Sequence, residues 1–460
     1  MPFSCLLGLI IGLALSGPGL NSSDQHRTCL TAGNRLSSTL KFNSTDILID
    51  TVSVRAFAGA VDRTGTIYAV LATPEPLVKV YRSIDTGLNW ENLLNIPIRS
   101  PARQIELLTP DNDSGYIYIF ILDSTSAGDL YLLRLTTKTG IWQMLPVALG
   151  PDTIDRFTVT ADRSPRYYLY CLYVNQHQTG ANGKFTRSLD CGLTWEPAQD
   201  FYNCLDPCLF FGSGSVLHCV WRFGLNGREI HYARNRHFGL PGRWDRLQVL
   251  SNTAEKCFDP QVVQADTSPP WRAPVWVAWT IAHRDTELLD IAICYSTDGG
   301  NSFTQPATFG EPFIDEWWPG LTTSSWSAYL VYNAGARGVN DPTVVYYQYS
   351  RFYAPGLWSS PIKINDPRVN ATVYAARPRI LPNGALFSYY GNQFARGLFF
   401  RRLTPAPNNN LITAVPKSTG STPAILDITG RKISLNRTRL RPGVYFVLTE
   451  NRIQKQLILK

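Results

Sequence analysis

One eight-residue pattern occurs three times along the 460-residue chain and constrains its fold more than any other feature. The pattern is Ser-x-Asp-x-Gly-x-[Asn/Thr/Ser]-[Trp/Phe], and each copy follows a short run of strand-forming residues. A recurring supersecondary unit indicates a repeat architecture, in which neighbouring units bury a shared core. The residues that define the three copies are Ser83, Asp85, Gly87 and Trp90, then Ser188, Asp190, Gly192 and Trp195, then Ser296, Asp298, Gly300 and Phe303.

The chemistry of this pattern is that of a turn. An Asp side chain accepts hydrogen bonds from backbone N–H groups a few residues further on and so closes a loop. Glycine supplies the positive φ that such a loop needs, and the final aromatic ring can pack against a neighbouring sheet. We therefore interpret these aspartates as structural residues of hairpin turns, and we do not assign them as catalytic acids.

A second repeated feature marks where each unit begins. Asp206-Pro207, Asp259-Pro260, Trp318-Pro319 and Arg377-Pro378 each stand at the start of an apolar strand, where the missing N–H of proline costs least. Earlier units begin near Arg55, Arg103 and Arg156, which gives a period of about 50 residues. We expect an all-β propeller with six or seven blades, and the seven unit starts favour seven. The last unit is too short for four strands, and residues 40–50 can complete it.

The turn motif resembles the Asp-box (BNR-repeat) motif of sialidases and other secreted propellers, and the resemblance covers residues 46–403. It implies the propeller fold. Sialidases also carry a Phe-Arg-Ile-Pro segment, an arginine triad, an Asp acid and a Tyr–Glu pair. This chain has no such segment, since Val54-Arg55-Ala56-Phe57 keeps only the arginine. We therefore favour a non-catalytic propeller that binds glycan or protein ligands, and we assign no catalytic residue. An exo-sialidase-like glycoside hydrolase is the alternative.

Candidate binding residues stand at the unit starts, which line one mouth of the central channel. Arginine forks suit carboxylates and sulfates, paired carboxylates suit glycoside chemistry, and tryptophans can stack on sugar rings. In the alternative interpretation, these charges only pair with one another. We predict no metal or cofactor. The candidate residues are Arg55, Arg103, Arg156, Asp206, Asp259, Glu316, Trp317, Trp318 and Arg377.

The N-terminus has the pattern of a secretory signal peptide. Residues 6–15 are almost wholly apolar, and Ala14-Leu15-Ser16 at their end offers a small-x-small cleavage site, so residues 1–16 are predicted to be a signal peptide. A retained anchor is the alternative. Residues 17–45 would form a leader, and no later run is long enough to span a membrane.

Nine cysteines accompany this signal, and eight remain after Cys5 is removed. In an oxidising compartment an even number permits disulfides, and buried thiols in a β fold are the other possibility. Cys204 and Cys208 have metal-ligand spacing, but no matching Cys/His pair follows, so no zinc site is predicted.

The C-terminus has a separate character. Residues 404–420 are rich in Pro, Asn, Ser and Thr and predict a linker, and residues 421–460 contain three strand-like segments. These segments resemble the C-terminal sorting domain of the bacterial type IX secretion system. The resemblance implies passage through the periplasm to the cell surface or the medium, with the secretion machinery as a partner. The matching residues include Gly430, Arg431, Pro442, Gly443, Tyr445, Phe446 and Lys460.

The positive charge of the chain lies in this tail. Residues 431–460 contain eight basic side chains and one acidic side chain, whereas the net charge of the whole chain is +8. The remaining residues are therefore close to neutral, and a propeller that binds nucleic acid is not expected because that function needs a basic surface.

Overall fold

The computed structural model describes residues 47–458 with gaps, and it divides into two compact units, Met1–Leu403 and Thr404–Lys460. The structure does not describe residues 1–46, 110–114, 126–127, 151–152, 163–166, 178–179, 202, 225–226, 252–254, 268, 285–287, 311–313, 324–326, 337–343, 353, 365–378, 382–384, 392–395, 403–423, 427–431, 434–442, 450–451 and 459–460. The predicted signal peptide, the leader, the linker and Arg377 lie outside the described residues. So do Gly430, Arg431, Pro442 and Lys460 of the predicted sorting signal.

The first unit is a seven-bladed β-propeller, which confirms the all-β prediction and the favoured blade number. Six blades are consecutive antiparallel four-stranded sheets. Strand β1 (Ile47–Asp50) precedes them. The first blade contains β2 (Ala56–Val61), β3 (Ile67–Ala72), β4 (Leu77–Ser83) and β5 (Glu91–Pro97), and the second contains β6 (Ala102–Leu108), β7 (Tyr116–Asp123), β8 (Leu130–Thr136) and β9 (Trp142–Ala148). The third contains β10 (Ile154–Ala161), β11 (Leu169–His177), β12 (Gly180–Ser188) and β13 (Gln199–Phe201).

The next three sheets follow the same order, and only two short 3-10 turns interrupt the described strands, at Ser213–Ser215 and Pro270–Arg272. The fourth blade contains β14 (Cys204–Phe211), β15 (Leu217–Phe223), β16 (Glu229–Asn235) and β17 (Gln248–Val249), and the fifth contains β18 (Lys256–Gln264), β19 (Val275–Ala282), β20 (Leu289–Ser296) and β21 (Ala307–Phe309). The sixth contains β22 (Ile314–Thr323), β23 (Ser327–Ala336), β24 (Val344–Arg351) and β25 (Ile362–Lys363).

The seventh blade joins the two ends of the ring. Its strands are β26 (Arg379–Ile380), β27 (Ala385–Gly391) and β28 (Arg396–Arg402), and β1 pairs with β28 as the fourth strand. The prediction that residues near 40–50 complete the last blade is therefore confirmed. This pairing joins the N-terminal strand to the last blade and so holds the two ends of the ring together.

Side chains extend the closure into the first blade. Asp50 on β1 accepts hydrogen bonds from Lys79 Nζ, at 2.9 Å, and from the Tyr81 hydroxyl, both on β4. Burial alone would raise the pKa of Asp50, but these hydrogen bonds lower it. Phe57 and Phe400 belong to one buried cluster that spans the closing blade and the first blade. The N-terminal strand thus connects two blades that are distant in sequence.

The first strand of each blade is the innermost. The first strands of neighbouring blades pack side by side around the channel, and polar side chains join them. Gln104 on β6 bonds both backbone groups of Phe157 on β10, at 2.7 and 3.1 Å. Thr158 on β10 accepts the N–H of Leu209 on β14, at 3.1 Å. These contacts satisfy backbone groups that have no strand partner on the channel side.

The Ser-x-Asp-x-Gly segments form the turns between the third and fourth strands. In the first, Asp85 Oδ1 accepts the Asn89 N–H at 2.9 Å, and Ser83 Oγ accepts the Gly87 N–H at 2.8 Å. The hydrogen bonds from Asn89 and Ser83 lower the pKa of Asp85 to about 2. Gly87 has φ +92°. The Asp190 and Asp298 turns repeat this geometry.

The disulfide prediction is wrong for the described cysteines, which are all free thiols. Facing positions on paired strands never hold two cysteines here: Cys171 faces Thr186, Cys219 faces Ala233, and Cys294 faces Val277. Burial raises the pKa of the Cys171, Cys219 and Cys294 thiols, which keeps them protonated. These cysteines are core residues, as the alternative of buried thiols proposed. The free cysteines are Cys171, Cys191, Cys204, Cys208, Cys219, Cys257 and Cys294.

The second unit is a small antiparallel sheet of four strands, in the order β30-β29-β31-β32. The strands are β29 (Ala424–Leu426), β30 (Lys432–Ile433), β31 (Gly443–Thr449) and β32 (Arg452–Ile458). The sequence predicted three strand-like segments, and the first of these contains both β29 and β30. No helix among the described residues of the chain is long and apolar enough to cross a membrane.

Candidate functional site

The candidate site lies where the innermost strands begin, an end of the propeller that we call the channel mouth. Six of the innermost strands, β2, β6, β10, β14, β18 and β22, run in the same direction through their blades, so their first residues meet at one end of the channel. Propellers commonly bind ligands there, because several blades can each contribute a side chain to one concave surface.

Arg156 is the centre of the charge cluster at this mouth. Its Nη1 lies 2.5 Å from Asp206 Oδ1 and 3.4 Å from Asp259 Oδ1, so residues from three consecutive blades meet at one guanidinium. Burial alone would lower the pKa of Arg156, but the carboxylates of Asp206, Asp259 and Asp155 raise it. The Arg156 side chain is 43% exposed, whereas those of Asp206 and Asp259 are 5% and 10% exposed. A ligand in the channel can therefore reach the arginine more readily than the two carboxylates.

Asp155 extends the cluster into the second blade. Its carboxylate lies 3.6 Å from both Arg156 Nε and Arg103 Nη2. Arg103 also donates to the backbone oxygens of Ile154 and Asp155. Sequence reasoning missed Asp155, although it is adjacent to Arg156 in the chain. The cluster thus runs from Arg103 through Asp155 and Arg156 to the fourth and fifth blades.

Arg222 on β15 is a second residue that the unit-start pattern does not include. Its Nε forms an ion pair with Asp206 Oδ2 at 2.8 Å, and its guanidinium lies 5.3 Å from the ring centre of Phe258. Asp206 therefore has arginine partners on both sides. The pattern missed Arg222 because this residue lies on the second strand of its blade, directly opposite Leu205.

A backbone irregularity recurs at the unit starts of three consecutive blades. Asp206, Asp259 and Trp318 each precede a proline and have positive φ values of 46°, 50° and 57°. Each lies in a β-bulge, where the pairing of β14, β18 and β22 shifts by one residue. Left-handed backbone at a non-glycine residue costs free energy and concentrates at functional sites, and bulges re-aim side chains. The Asp206 and Asp259 carboxylates reach Arg156 from these bulges.

The other predicted residues occupy different environments. By backbone position Trp318, rather than Glu316, is the equivalent of Asp206 and Asp259. Glu316 is 3% exposed and takes the place that buried Cys204 and Cys257 hold in the two preceding blades. Trp317 and Trp318 are half-buried. Arg55 is exposed just before β2.

A second polar cluster lies at the same end of the fifth blade. His283 follows β19, and its ring nitrogens each lie 2.7 Å from a carboxylate, Nδ1 from Glu255 and Nε2 from Asp290. Asp315 on the sixth blade accepts the N–H of Leu289 at 3.0 Å. Burial would lower the pKa of His283, but the hydrogen bonds to Glu255 and Asp290 raise it above its ordinary value near 6.5.

This histidine predicts a pH-dependent contribution to stability. Because its pKa is higher in the folded state, the contribution is present below the unfolded pKa and is lost as pH rises through the folded pKa. We expect His283→Gln to lower the free energy of unfolding by about 1 kcal/mol at pH 6 and by less at pH 9. Urea denaturation across that pH range measures the difference. If the loss of unfolding free energy in His283→Gln grew with pH, the stabilising role of protonated His283 would be contradicted.

Comparisons with known proteins place the fold. No family model and no curated protein matches the chain. Among solved structures, it is similar to an ulvan lyase from a family of polysaccharide lyases, also solved bound to -[GlcA(1-4)Rha3S]-, with 11% identity and a TM-score of 0.53 over 78% of this chain and 94% of that chain. It is also similar to an α-L-arabinofuranosidase from Fusarium graminearum, with 12% identity and a TM-score of 0.46 over 78% of this chain and 98% of that chain. At these identities the likeness shows the propeller fold alone.

Proposed function

We propose that this protein is an extracellular propeller that binds glycans at the channel mouth and does not itself cleave them. The observation that carries the proposal is the cluster around Arg156, in which arginines and carboxylates of consecutive blades converge on one end of the channel. Charged groups that are already held by ion pairs offer fixed donors and acceptors to sugar hydroxyls, at little entropic cost on binding.

Aromatic groups support the same interpretation. Trp317 and Trp318 are half-buried at the start of β22, and apolar sugar faces stack on such rings. The ulvan lyase to which the fold is similar is a polysaccharide-active protein. Propellers that bind sugars combine apolar surface with a few oriented polar groups.

Ion pairing also explains why binding is favoured over catalysis. A glycosidase needs one carboxyl group that stays protonated and can act as an acid. Asp206 and Asp259 share the cationic Arg156, and Asp206 also pairs with Arg222. Both side chains are therefore already engaged with arginines.

One observation favours the alternative, a glycoside hydrolase. Asp206 and Asp259 contact the same Arg156 nitrogen, so their carboxylates lie within about 6 Å of each other, near the separation in retaining glycosidases. Incubation with fluorogenic sialosides and arabinosides discriminates between the two functions. Turnover by the wild type that disappears in Asp259→Asn would overturn the binding proposal.

Arg55 provides the test of binding itself, because it is exposed and its substitution leaves the ion pairs intact. We expect Arg55→Ala to reduce retention on a glycan array at least about threefold, since a guanidinium hydrogen bond to a sugar is lost. The matched control is Arg63→Ala, an exposed arginine of the same blade at the other end of β2. Equal retention of both variants and the wild type would refute binding at this mouth.

The export route remains a proposal that rests on the N-terminal apolar run and the C-terminal segments. We propose that the chain enters the periplasm by its signal peptide and reaches the cell surface or the medium through the type IX machinery. Normal surface display of a chain without residues 421–460 would refute this.

A further inference from the structure

Bulges recur at the channel mouth in two further blades. In the second blade Arg103 stands at a shift in the pairing of β6 with β7, and in the third blade Asp155 stands at a shift in the pairing of β10 with β11. Five consecutive first strands are therefore bulged at this end, and a bulge re-aims the side chain that it carries. The bulge residues are, in blade order, Arg103, Asp155, Asp206, Asp259 and Trp318.

The charges of the ion-paired cluster at this mouth balance one another. Three basic and three acidic side chains take part, and each lies within 3.6 Å of a side chain of the opposite sign. The basic members are Arg103, Arg156 and Arg222, and the acidic members are Asp155, Asp206 and Asp259.

The charges next to the cluster do not change this balance. Among the described residues, the other strand starts at this end hold two basic and two acidic side chains, which are Arg55, Lys256, Asp315 and Glu316. His283 in the fifth blade is flanked by the carboxylates of Glu255 and Asp290. The described part of the mouth therefore has no surplus of positive charge to offer to an anion.

Two adjacent side chains of the cluster are available to a ligand as donor and acceptor. Asp206 and Asp259 both lie closest to Nη1 of Arg156, and the Arg156 side chain is 43% exposed, so its other terminal nitrogen remains for a ligand. The Asp155 carboxylate is 30% exposed, and at 3.6 Å from both Arg103 and Arg156 it is too distant to accept a hydrogen bond from either.

This pair matches sugar hydroxyls better than an anionic group. A hydroxyl donates one hydrogen bond and also accepts, so two neighbouring hydroxyls can donate to Asp155 and accept from Arg156. A carboxylate or a sulfate ester only accepts, and the negative charge of Asp155 repels it. The arginine would bind such an anion on its own, but the adjacent aspartate opposes it.

Trp318 adds an apolar surface to the same set of bulges. It has φ 57°, close to the values of 46° and 50° at Asp206 and Asp259, and its N–H donates to Thr280 Oγ1 of the fifth blade at 3.1 Å. Because the three bulges share this backbone conformation, the half-buried indole takes the place that the other two blades give to a carboxylate. An indole in that place offers its face to the C–H groups of an uncharged sugar ring.

We propose that the ligand of the channel mouth is an uncharged glycan, held through neighbouring hydroxyls by Asp155 and Arg156 and through one sugar face by Trp318. The inference rests on the proposed function and narrows it to one class of ligand. Arginines alone would suit a uronate or a sulfate, but here a carboxylate compensates each arginine of the cluster. A neutral ligand leaves these ion pairs intact, so its affinity should depend little on salt.

Pairs of glycans that differ only in charge test the proposal on an array. The pairs are oligogalacturonides and their methyl esters, sulfated and desulfated galactans, and sialylated and desialylated lactosamines. For each backbone that the full chain retains, we expect at least about tenfold more retention of the uncharged member. Retention should change less than about twofold between about 0.05 and 0.5 M NaCl.

Asp155→Asn tests the residue that opposes an anion. The cluster then has one arginine more than it has carboxylates, so retention of the charged members should rise at least about fivefold relative to the uncharged ones. The matched control is Asp200→Asn in the same blade, which removes an exposed aspartate that pairs with Lys184 on β12. If both variants kept the wild-type ratio, Asp155 would not be the group that selects an uncharged ligand, and the inference would fail.

Trp318 has its own pair of variants. Trp318→Leu should lower retention of the uncharged members at least about fivefold, and Trp318→Phe should lower it less, because phenylalanine keeps a ring face. Better retention of the charged members, or a steep loss of retention with salt, would overturn the inference while glycan binding at the mouth still held. Retention of no glycan on the array would refute the proposed function and the inference together.

Discussion

Replacing Gly87 by alanine is expected to lower the free energy of unfolding by about 2–4 kcal/mol and to weaken ring closure. Gly87 has φ +92°, and a Cβ at this position would overlap the Phe400 ring. The left-handed backbone and the overlap with a buried side chain each carry a cost. Equilibrium urea denaturation of the full chain measures the sum.

The expected effect is large because Phe400 lies at the junction of the first and last blades. Phe400 is on β28, it pairs with Ile47 of the N-terminal strand, and its ring meets Trp90 edge-on at 5.2 Å. The Trp90 indole in turn donates to the Gly87 backbone oxygen at 3.1 Å. Displacing the Phe400 ring therefore disturbs both the turn of the first blade and the sheet that joins the chain ends.

Gly140 provides the control. It has φ +69° in the equivalent turn of the second blade, and a Cβ there would meet nothing within 4 Å. Gly140→Ala should therefore lower the free energy of unfolding only by the cost of a left-handed backbone, about 1–2 kcal/mol. In a background with Phe400→Leu, the cost of Gly87→Ala should fall toward that value. Equal costs at both glycines would show that the closing blade does not depend on this contact.

The sequence predicted the propeller because its signals are local. A Ser-x-Asp-x-Gly turn is formed by residues within one octapeptide. A proline also acts through its own backbone, although Pro207, Pro260 and Pro319 lie in bulges inside β14, β18 and β22 and not at the strand starts that the pattern predicted. Such signals repeat visibly with the period of a blade. The pairing of β1 with β28 is not local. It could still be inferred from the number of strands in each unit, because the last unit was one strand short.

The candidate site was harder to predict because its contacts cross between blades. The unit-start pattern included Arg156, Asp206 and Asp259, yet it does not include Arg222, which lies on a second strand. It aligned Trp318-Pro319 with Asp206-Pro207 and Asp259-Pro260, as the bulges confirm, but it also counted Glu316, which is buried two residues earlier, as the start of that unit. A bulge shifts the register by one residue, and this shift depends on packing that sequence spacing does not reveal.

The cysteines show the same limit. Their even number suggested disulfides, but pairing depends on which residues face one another. In this fold Cys204 faces Phe223 and Cys257 faces Ile281. Composition can indicate a chemical possibility, whereas register decides whether two thiols meet.

Removing the cation at the channel mouth is expected to have the second large effect. Arg156→Met should lower the free energy of unfolding by about 2–4 kcal/mol near neutral pH, because it leaves Asp206 and Asp259 buried without their shared partner. Arg222 continues to compensate Asp206, which keeps the loss below that of an isolated buried charge. Urea denaturation measures the stability, and the glycan array measures binding by the same protein.

Two further variants test whether the loss of stability in Arg156→Met comes from the unpaired carboxylates. In the Arg156→Met background, Asp259→Asn should restore part of the lost stability, because it removes one of two neighbouring carboxylates. The control is Arg82→Met, which breaks the exposed Arg82–Glu91 pair and should cost less than about 1 kcal/mol.

The double variant also separates structure from binding. If Arg156→Met with Asp259→Asn regains stability but still fails to retain glycans, the arginine contacts the ligand directly. If binding returns together with stability, the arginine acts by holding the mouth in shape. No loss of stability in the single variant would mean that Asp206 and Asp259 do not need the Arg156 guanidinium, and the cluster would then lose its role as the organising feature of the mouth.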